Sequence, residues 1–566
     1  MRGIRLFSGK TRWFRSTTAP VAKPAQFRYV PKEQPGGYEP FALEDSNRLE
    51  NAFVLGSKEC TIQTDGLFKV NIEDRHYTST YWEGPTFKVL RGTWFHQGTS
   101  KLTPIAEGLA EELEENYQAG KTDFVLKQGQ KINLKRTGDQ ITGTMSHDDS
   151  WANMIKSLQL PRNYSIVRGY RNEKAKEKST ASPTIGKKKM EDNMPHPGAT
   201  GTTNRPIKHL ILAIHGVGQQ LGIRYEFVNF VKDTNEFRDL MKQIHAKDES
   251  LKLASASETN HGIQVLPILW RHLIPNQSKN LDPQLKGLTV SQLMAKDNLL
   301  ADVALDYVMY THKEYQDTML SATASELNRV YKTFCENNPD FAENPKVSIA
   351  GHSLGSVIAN NLLRSEYKLN FEVDNVFFLG SPVGCLQFLT GKPFTKEGCR
   401  VKNMYNIFRA SDPIGSRIEP LVNKATVDVK PQSLPANGMI TQIKDFTEDL
   451  TALGLSITKG ATVLWNQIAD TKATETPEQE TKTQQVDPAM DERLKRDLAA
   501  FNRHHRLDFA IPESMDISLV LAIAGHTMYF DNYDLASFIM KEILDVPVAK
   551  EPMIREESND EDLAAS

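Results

Sequence analysis

Between about residues 41 and 120 apolar and polar positions alternate in short runs, as in Leu67-Phe68-Lys69-Val70-Asn71-Ile72 and again over 87–95. A period of two with this much aromatic content predicts half-buried β-strands. A run with helical spacing follows at 105–115. After residue 205 the pattern changes. The segments 209–214, 263–269, 346–350, 375–379 and 404–408 are apolar almost throughout, and stretches with helical period, such as 315–335, separate them. Continuously apolar strands alternating with helices predict an α/β fold, a mostly parallel sheet with helices on both faces, preceded by an N-terminal β-rich module.

Composition marks the boundaries. Residues 1–32 carry Arg2, Arg5, Lys10, Arg12, Arg15, Lys23, Arg28 and Lys32, and the first acidic residue is Glu33. Arg-rich, Ser-containing and acid-poor is the composition of a mitochondrial transit segment, with a cytoplasmic protein bearing a basic arm as the alternative. The β-rich module is expected over 33–170, a Lys/Ser/Pro/Gly-rich linker over 171–204, and the α/β region over 205–548. Within that region 423–496 reads as an insertion. Its part 439–465 reads as surface helices and its part 470–490 as a polar tract without structure, and an acidic tail closes the chain at 549–566.

Charge and cysteine content remove whole classes of function. Against 71 Asp+Glu the chain has 68 Lys+Arg, a net charge of -3, without the basic excess of a nucleic-acid binder. The 4 cysteines, Cys60, Cys335, Cys385 and Cys399, lack CxxC spacing, so neither a disulfide scaffold nor a thiolate zinc site is expected. The strongest apolar runs, 519–524 and 210–214, fall far short of the roughly 18 to 20 residues that span a bilayer. Membrane contact is therefore expected to be peripheral.

The chemistry begins at Gly351-His352-Ser353-Leu354-Gly355, which follows the apolar run 347–350 and precedes the helical pattern 357–363. G-x-S-x-G between strand and helix is the nucleophile elbow, which holds a serine hydroxyl out on a sharp turn. Gly351 and Gly355 are expected because strand and helix pack too closely there for a β-carbon. A serine needs a base, usually histidine, oriented by a carboxylate, and in α/β-hydrolases both follow the serine in the chain. Three histidines do so: His504, His505 and His526. The basic run Arg503-His504-His505-Arg506 reads as a solvated strand entry, which leaves His526 as the candidate base, with a buried structural histidine as the alternative reading. Asp412 stands where the strand 404–408 ends, the place where functional groups of open α/β sheets gather. Asp508 competes with it from inside a strand-like run. Leu354, the residue after the serine, and the loop Gly216-Val217-Gly218 would supply the N–H donors for an oxyanion. His215 ahead of that loop is open to reading as a base, a metal ligand or a turn former.

These residues together resemble the DDHD-domain intracellular phospholipases A1. The resemblance rests on Arg91-Gly92-Thr93-Trp94-Phe95, His215-Gly216-Val217-Gly218, the elbow, Leu379-Gly380-Ser381-Pro382-Val383-Gly384, Tyr405-Asn406-Ile407-Phe408, and Ser411-Asp412-Pro413 followed by Arg417-Ile418-Glu419-Pro420. It implies an α/β-hydrolase-like fold with a DDHD domain over 370–548. The four residues that name the domain fall at Asp412, Asp508, His526 and Asp534, with Asp531 a rival for the last. The implied activity is cleavage of a glycerophospholipid acyl ester at a peripheral membrane surface, without cofactor or metal. Ser353, His526 and Asp412 would form the triad, with Asp508, Asp534 and His352 in support. Tyr529-Phe530 stands where relatives carry Tyr-Trp, which leaves substrate preference open. Two alternatives stand beside this one: a metal-dependent phosphoesterase binding its ion through Asp412, Asp508, His526 and Asp534, and a non-catalytic lipid- or partner-binding scaffold.

Overall fold

The computed structural model describes residues 11–16, 21–22, 38–62, 66–98, 102–137, 140–146, 163–170, 206–215, 230–257, 262–274, 310–435, 484–485, 488–512, 526, 528–547 and 554–555. The chain divides into two units, Met1–Arg205 and Pro206–Ser566.

The first unit holds two six-stranded antiparallel sheets. One runs in the order Tyr38–Pro40, Arg12–Ser16, Phe87–Gly92, His76–Ser79, Phe68–Asn71, Glu59–Ile62, and the helix Leu43–Val54 packs on it. The other runs Leu102–Pro104, Trp94–Gln97, Asn163–Arg168, Gln140–Ser146, Lys131–Thr137, Asp123–Val125, with the helix Glu107–Gln118 in the same cluster of buried side chains. The β-rich module is thus larger than the alternation at 41–120 announces, and it reaches back into the basic N-terminal segment. Arg12–Ser16 lies inside the 1–32 stretch expected to be transit-like, yet it is an inner strand whose Trp13 and Phe14 are fully buried. Its charges obscure this: Arg15 pairs with Glu39 at 3.2 Å and Arg12 donates to the carbonyl of Phe41 at 2.6 Å.

The second unit is built on a seven-stranded sheet in the order Ile263–Ile268, His209–His215, Lys346–His352, Asn375–Leu379, Asn403–Arg409, Asp508–Ile511, Gln432–Ser433, every pair parallel. The central strands are buried from end to end, which is why they read as unbroken apolar runs. Helices cover the sheet in two groups. Leu354–Arg364 packs with Lys313–Asn337, and Phe230–Lys247 packs with Tyr533–Ile543. Asn532 starts the last of these by accepting from the N–H of Leu535 at 2.8 Å, which fixes the chain just after Tyr529-Phe530.

Two boundaries shift. Gln432–Ser433, placed by composition in the insertion 423–496, is the edge strand of the sheet, and Pro488–Leu498 is a helix. Gln484–Gln485, within the tract read as structureless, pairs with Ile554–Arg555 of the acidic tail. The surface helices expected at 439–465 and the linker at 171–204 lie outside the described residues. No described helix is long and apolar enough to cross a membrane. All four cysteines are unpaired.

Candidate active site

The strand Lys346–His352 stops at the carboxyl end of the sheet, and the helix Leu354–Arg364 starts one residue later. Ser353 makes the turn with φ +54° and ψ -128°, a conformation that costs a non-glycine residue about 1–3 kcal/mol. Neighbours hold it there. Its N–H donates to the carbonyl of Leu379 at 3.0 Å, and its own carbonyl accepts from the N–H of Ser356 at 3.0 Å and from the Ser356 hydroxyl. A β-carbon at Gly351 would stand 2.6 Å from Ser356 Cα, so the expected glycine is sterically required.

His526 Nε2 lies 2.9 Å from Ser353 Oγ, and His526 Nδ1 lies 3.0 Å from both carboxylate oxygens of Asp412. The serine follows one strand and the aspartate follows Asn403–Arg409, with Asn375–Leu379 between them. The turn after that middle strand must leave the passage open. Gly380 does so at φ +54°, where a β-carbon would come within 2.6 Å of Asp412 Oδ2 and 2.8 Å of the Tyr529 ring.

Asp412 receives further donors. Tyr529 hydroxyl donates to its Oδ2 at 2.7 Å and the Ile414 N–H to its Oδ1 at 2.8 Å, while Tyr529 itself accepts from the Arg409 N–H at 3.1 Å. Burial alone would raise the acid, but the hydrogen bonds and charge of His526, with Tyr529 and Ile414, bring it down to about 2. An acid lowered in the folded state contributes stability that is present above its unfolded value, about 3.9, and lost as pH falls through 2. Tyr529→Phe should therefore raise that acid and cost about 1.5–3 kcal/mol at neutral pH, with the gap between its melting temperature and the parent's narrowing as pH falls from about 4 through 2. A pH-independent difference between the two curves would refute this.

The walls are aromatic and neutral. His352, 3% exposed, directs Nε2 to the main-chain carbonyl of His526 at 2.7 Å. Burial, then the charges of His526 and His215, hold its basicity well below the usual range. Burial does the same to His215, bringing it to about 3, and its ring lies 4.9 Å from Phe230. The His215 carbonyl accepts from Trp270 Nε1 at 3.0 Å, which fixes the strand end where the expected oxyanion loop begins. Gly216, Val217 and Gly218 themselves lie outside the described residues. Leu354 supplies the first N–H of its helix, a donor that has no carbonyl within the helix to bond. Phe530 packs edge-on to Phe230 and Phe237 at 5.4 and 5.5 Å.

Three expected residues stand elsewhere. Asp508 is fully buried and ties the segment after Asp412 to its own strand, accepting from Ile418 N–H, Glu419 N–H, Asn406 and Arg417 at 2.9, 3.1, 2.9 and 3.3 Å. Burial and the neighbouring Glu419 push its acid up to about 6. Asp508→Ala would strand these donors, so a loss of about 3–5 kcal/mol in urea unfolding is expected, far more than a ligand residue away from the fold would give. Asp534 lies in the first turn of the helix Tyr533–Ile543. Among the described residues no three His, Cys, Asp or Glu side chains gather as metal ligands, so the quartet of Asp412, Asp508, His526 and Asp534 is not assembled. His504, expected to be solvated, is half-buried with its side chain covered and Nε2 2.8 Å from Glu542, which Arg503 and Tyr405 also hold. Its pairing partner lies 38 positions along the chain, beyond the reach of local pattern. The contacts of Tyr529 and Gly380 with Asp412 were missed for the same reason.

A DDHD domain is matched over residues 369–489 and 469–544, and a WWE domain over 11–91. The probable mitochondrial phospholipase YOR022C of Saccharomyces cerevisiae is 28% identical over 94% of this chain and 94% of its own. The probable mitochondrial phospholipase C20G8.02 of Schizosaccharomyces pombe is 28% identical over 94% of this chain and 88% of its own. The human triacylglycerol hydrolase DDHD2 is 28% identical over 59% of this chain and 44% of its own.

Proposed function

As the chain is a DDHD-domain protein related to phospholipases, we propose that it releases a fatty acid from glycerophospholipids by phospholipase A1-type serine chemistry at a membrane surface. The observation that carries this reading is the continuous line Asp412–His526–Ser353, each link within 3.0 Å. Ser353 Oγ attacks the acyl carbonyl as its proton passes to His526 Nε2. Asp412 holds the ring with Nδ1–H toward itself and stabilises the imidazolium that forms. The tetrahedral oxyanion takes the Leu354 N–H, with the loop 216–218 as second donor, an interaction worth about 3–4 kcal/mol per donor in such sites. Collapse expels the lysolipid alkoxide, which takes the proton from His526. A water that His526 deprotonates then hydrolyses the acyl-serine and frees the fatty acid.

The relatives from both yeasts are named mitochondrial, which agrees with the Arg-rich N-terminus and supports residence there. The test is product analysis from mixed phospholipid vesicles carrying different acyl chains at sn-1 and sn-2, with triacylglycerol emulsions in parallel. The expected products are the sn-1 fatty acid and a 2-acyl lysolipid. Release of sn-2 acid, or release from triacylglycerol alone, would overturn the phospholipase A1 assignment.

A further inference from the structure

His352 stands immediately before Ser353, yet its ring bonds to neither Ser353 nor Asp412. Its Nε2 meets the main-chain carbonyl of His526 at 2.7 Å, with the two rings 4.9 Å apart and the ring of Tyr529 5.3 Å away. A carbonyl only accepts, so this contact fixes the proton on Nε2 and leaves Nδ1 bare. Nδ1 is buried and has no hydrogen-bond partner among the described residues. A protonated ring would bury an unmatched N–H there, and would also set a positive charge against His526 at the moment His526 becomes an imidazolium. The groups facing the ring are His526, His215, Asp412 and Tyr529, and only Asp412 is anionic.

We propose that His352 is a positioning residue: it anchors His526 through that residue's own main chain, in a form that donates one hydrogen bond and carries no charge. Side-chain contacts set which way the His526 ring faces, while the His352 contact sets where its backbone stands. A displacement of about 1 Å in such a group costs on the order of a hundredfold in rate. The inference rests on Ser353, His526 and Asp412 acting as proposed above.

The test compares His352→Ala, His352→Gln and Ser353→Ala in the full chain. Its readouts are kcat and KM on a soluble short-chain ester and the rate of Ser353 labelling by a fluorophosphonate. His352→Ala should lower kcat and labelling about a hundredfold with KM little changed. His352→Gln, whose amide N–H reaches toward the same carbonyl, should recover both to within tenfold of the parent. An alanine variant with parental labelling, or a glutamine variant as slow as alanine at equal melting temperature, overturns the proposal. Undiminished turnover by Ser353→Ala would instead overturn the triad and leave His352 nothing to position.

The N-terminal unit independently carries a second inference. Its two sheets share one strand order and one buried anchor. Trp13 Nε1 donates to Glu50 at 3.0 Å and Trp94 Nε1 to Glu114 at 2.9 Å. Arg91 clamps Glu50 through two nitrogens at 2.8 and 2.6 Å, and Arg168 clamps Glu114 at 2.8 and 2.7 Å. Each arginine is the strand partner of its tryptophan and also lies over the ring three residues beyond the glutamate, Phe53 at 4.6 Å and Tyr117 at 4.7 Å. Both helices start from an alanine N-cap, Ala42 and Ala106. The residues after the two tryptophans, Phe14 and Phe95, pack on each other with centroids 5.6 Å apart.

We infer that residues 94–168 are a second copy of the fold whose WWE match ends at 91, and that the two copies cover each other's apolar face through Phe14 and Phe95. The pair then loosens as one. Hydrogen exchange on the full chain should show that Glu114→Gln exposes amides of 94–97 and 163–168 and, across the shared face, those of 12–16. Loosening confined to 94–168, or unchanged exchange throughout, overturns the inference. The first copy begins at Arg12, so the mature protein from mitochondria should start ahead of that residue. An N-terminus beyond Ser16 would remove the strand of Trp13 and Phe14 and break the pair.

Discussion

Ser353→Ala should abolish fatty-acid release, by about 10⁵-fold or more in kcat, while the protein stays folded and vesicle binding persists. The size follows from the geometry. Ser353 Oγ sits 2.9 Å from His526 Nε2, and among the described residues no other hydroxyl bonds to that nitrogen. Alanine lacks the only atom that can form the acyl bond, and what remains is the oxyanion donors and substrate binding, worth roughly 10³–10⁴ over water in comparable enzymes. Folding should be little changed, because the hydroxyl contributes nothing to the turn. The turn is held by the main chain of Ser353 with Leu379 and Ser356. The measurement is release from mixed vesicles with and without EDTA, with melting temperature in parallel. Parental activity that survives the substitution but vanishes with EDTA would move the chemistry to a metal bound by acidic residues.

The sequence carried most of this site because its central part is local. An apolar strand, G-x-S-x-G and an apolar helix fall within 346–364, and steric demands at Gly351 are written into the residue itself. Asp412 was legible for a similar reason, since it follows the end of a recognisable strand. Five strands of the sheet were equally plain, those at 209–214, 263–269, 346–350, 375–379 and 404–408, whereas the edge strand Gln432–Ser433 was read as part of the insertion. What stayed hidden depends on distance along the chain. Tyr529 and Asp412 are 117 positions apart and His504 and Glu542 are 38 apart, and nothing in either local pattern records the meeting. Asp508 reads both as support for the triad and as a rival to Asp412, and only the contacts decide between the two. Its place in the four-residue signature suggests chemistry, whereas its oxygens face main-chain N–H groups of residues 418 and 419 and so hold the segment that follows Asp412. The strand Arg12–Ser16 shows the converse failure, in which charge composition outweighed two buried aromatic residues flanked by arginines.

Asp412→Asn is expected to cost about 10⁴ in kcat with the fold retained, and the reason is the direction of the protons. The carboxylate accepts at every contact: from His526 Nδ1–H, from the Tyr529 hydroxyl and from the Ile414 N–H. Tyr529 directs its one proton at the carboxylate while accepting from the Arg409 N–H, so it would have to give up that donation to receive an amide NH2. An asparagine amide must turn its NH2 toward either Tyr529 or Ile414 and meet a donor there. Toward His526 it presents a donor too, which draws the ring into the tautomer with Nδ1 bare and Nε2 protonated. That Nε2–H then faces Ser353 Oγ and cannot take its proton, so the serine is present, correctly placed and inactive. Asp412→Glu keeps the charge but adds a methylene where Gly380 and Tyr529 leave no room, and it should also fail, with a lower melting temperature. The decisive measurement is fluorophosphonate labelling of Ser353 across pH 6–10 in the asparagine variant. Labelling that recovers as pH rises is the mark of a base in the wrong tautomer, and parental labelling at pH 7 would mean that Asp412 does not orient His526.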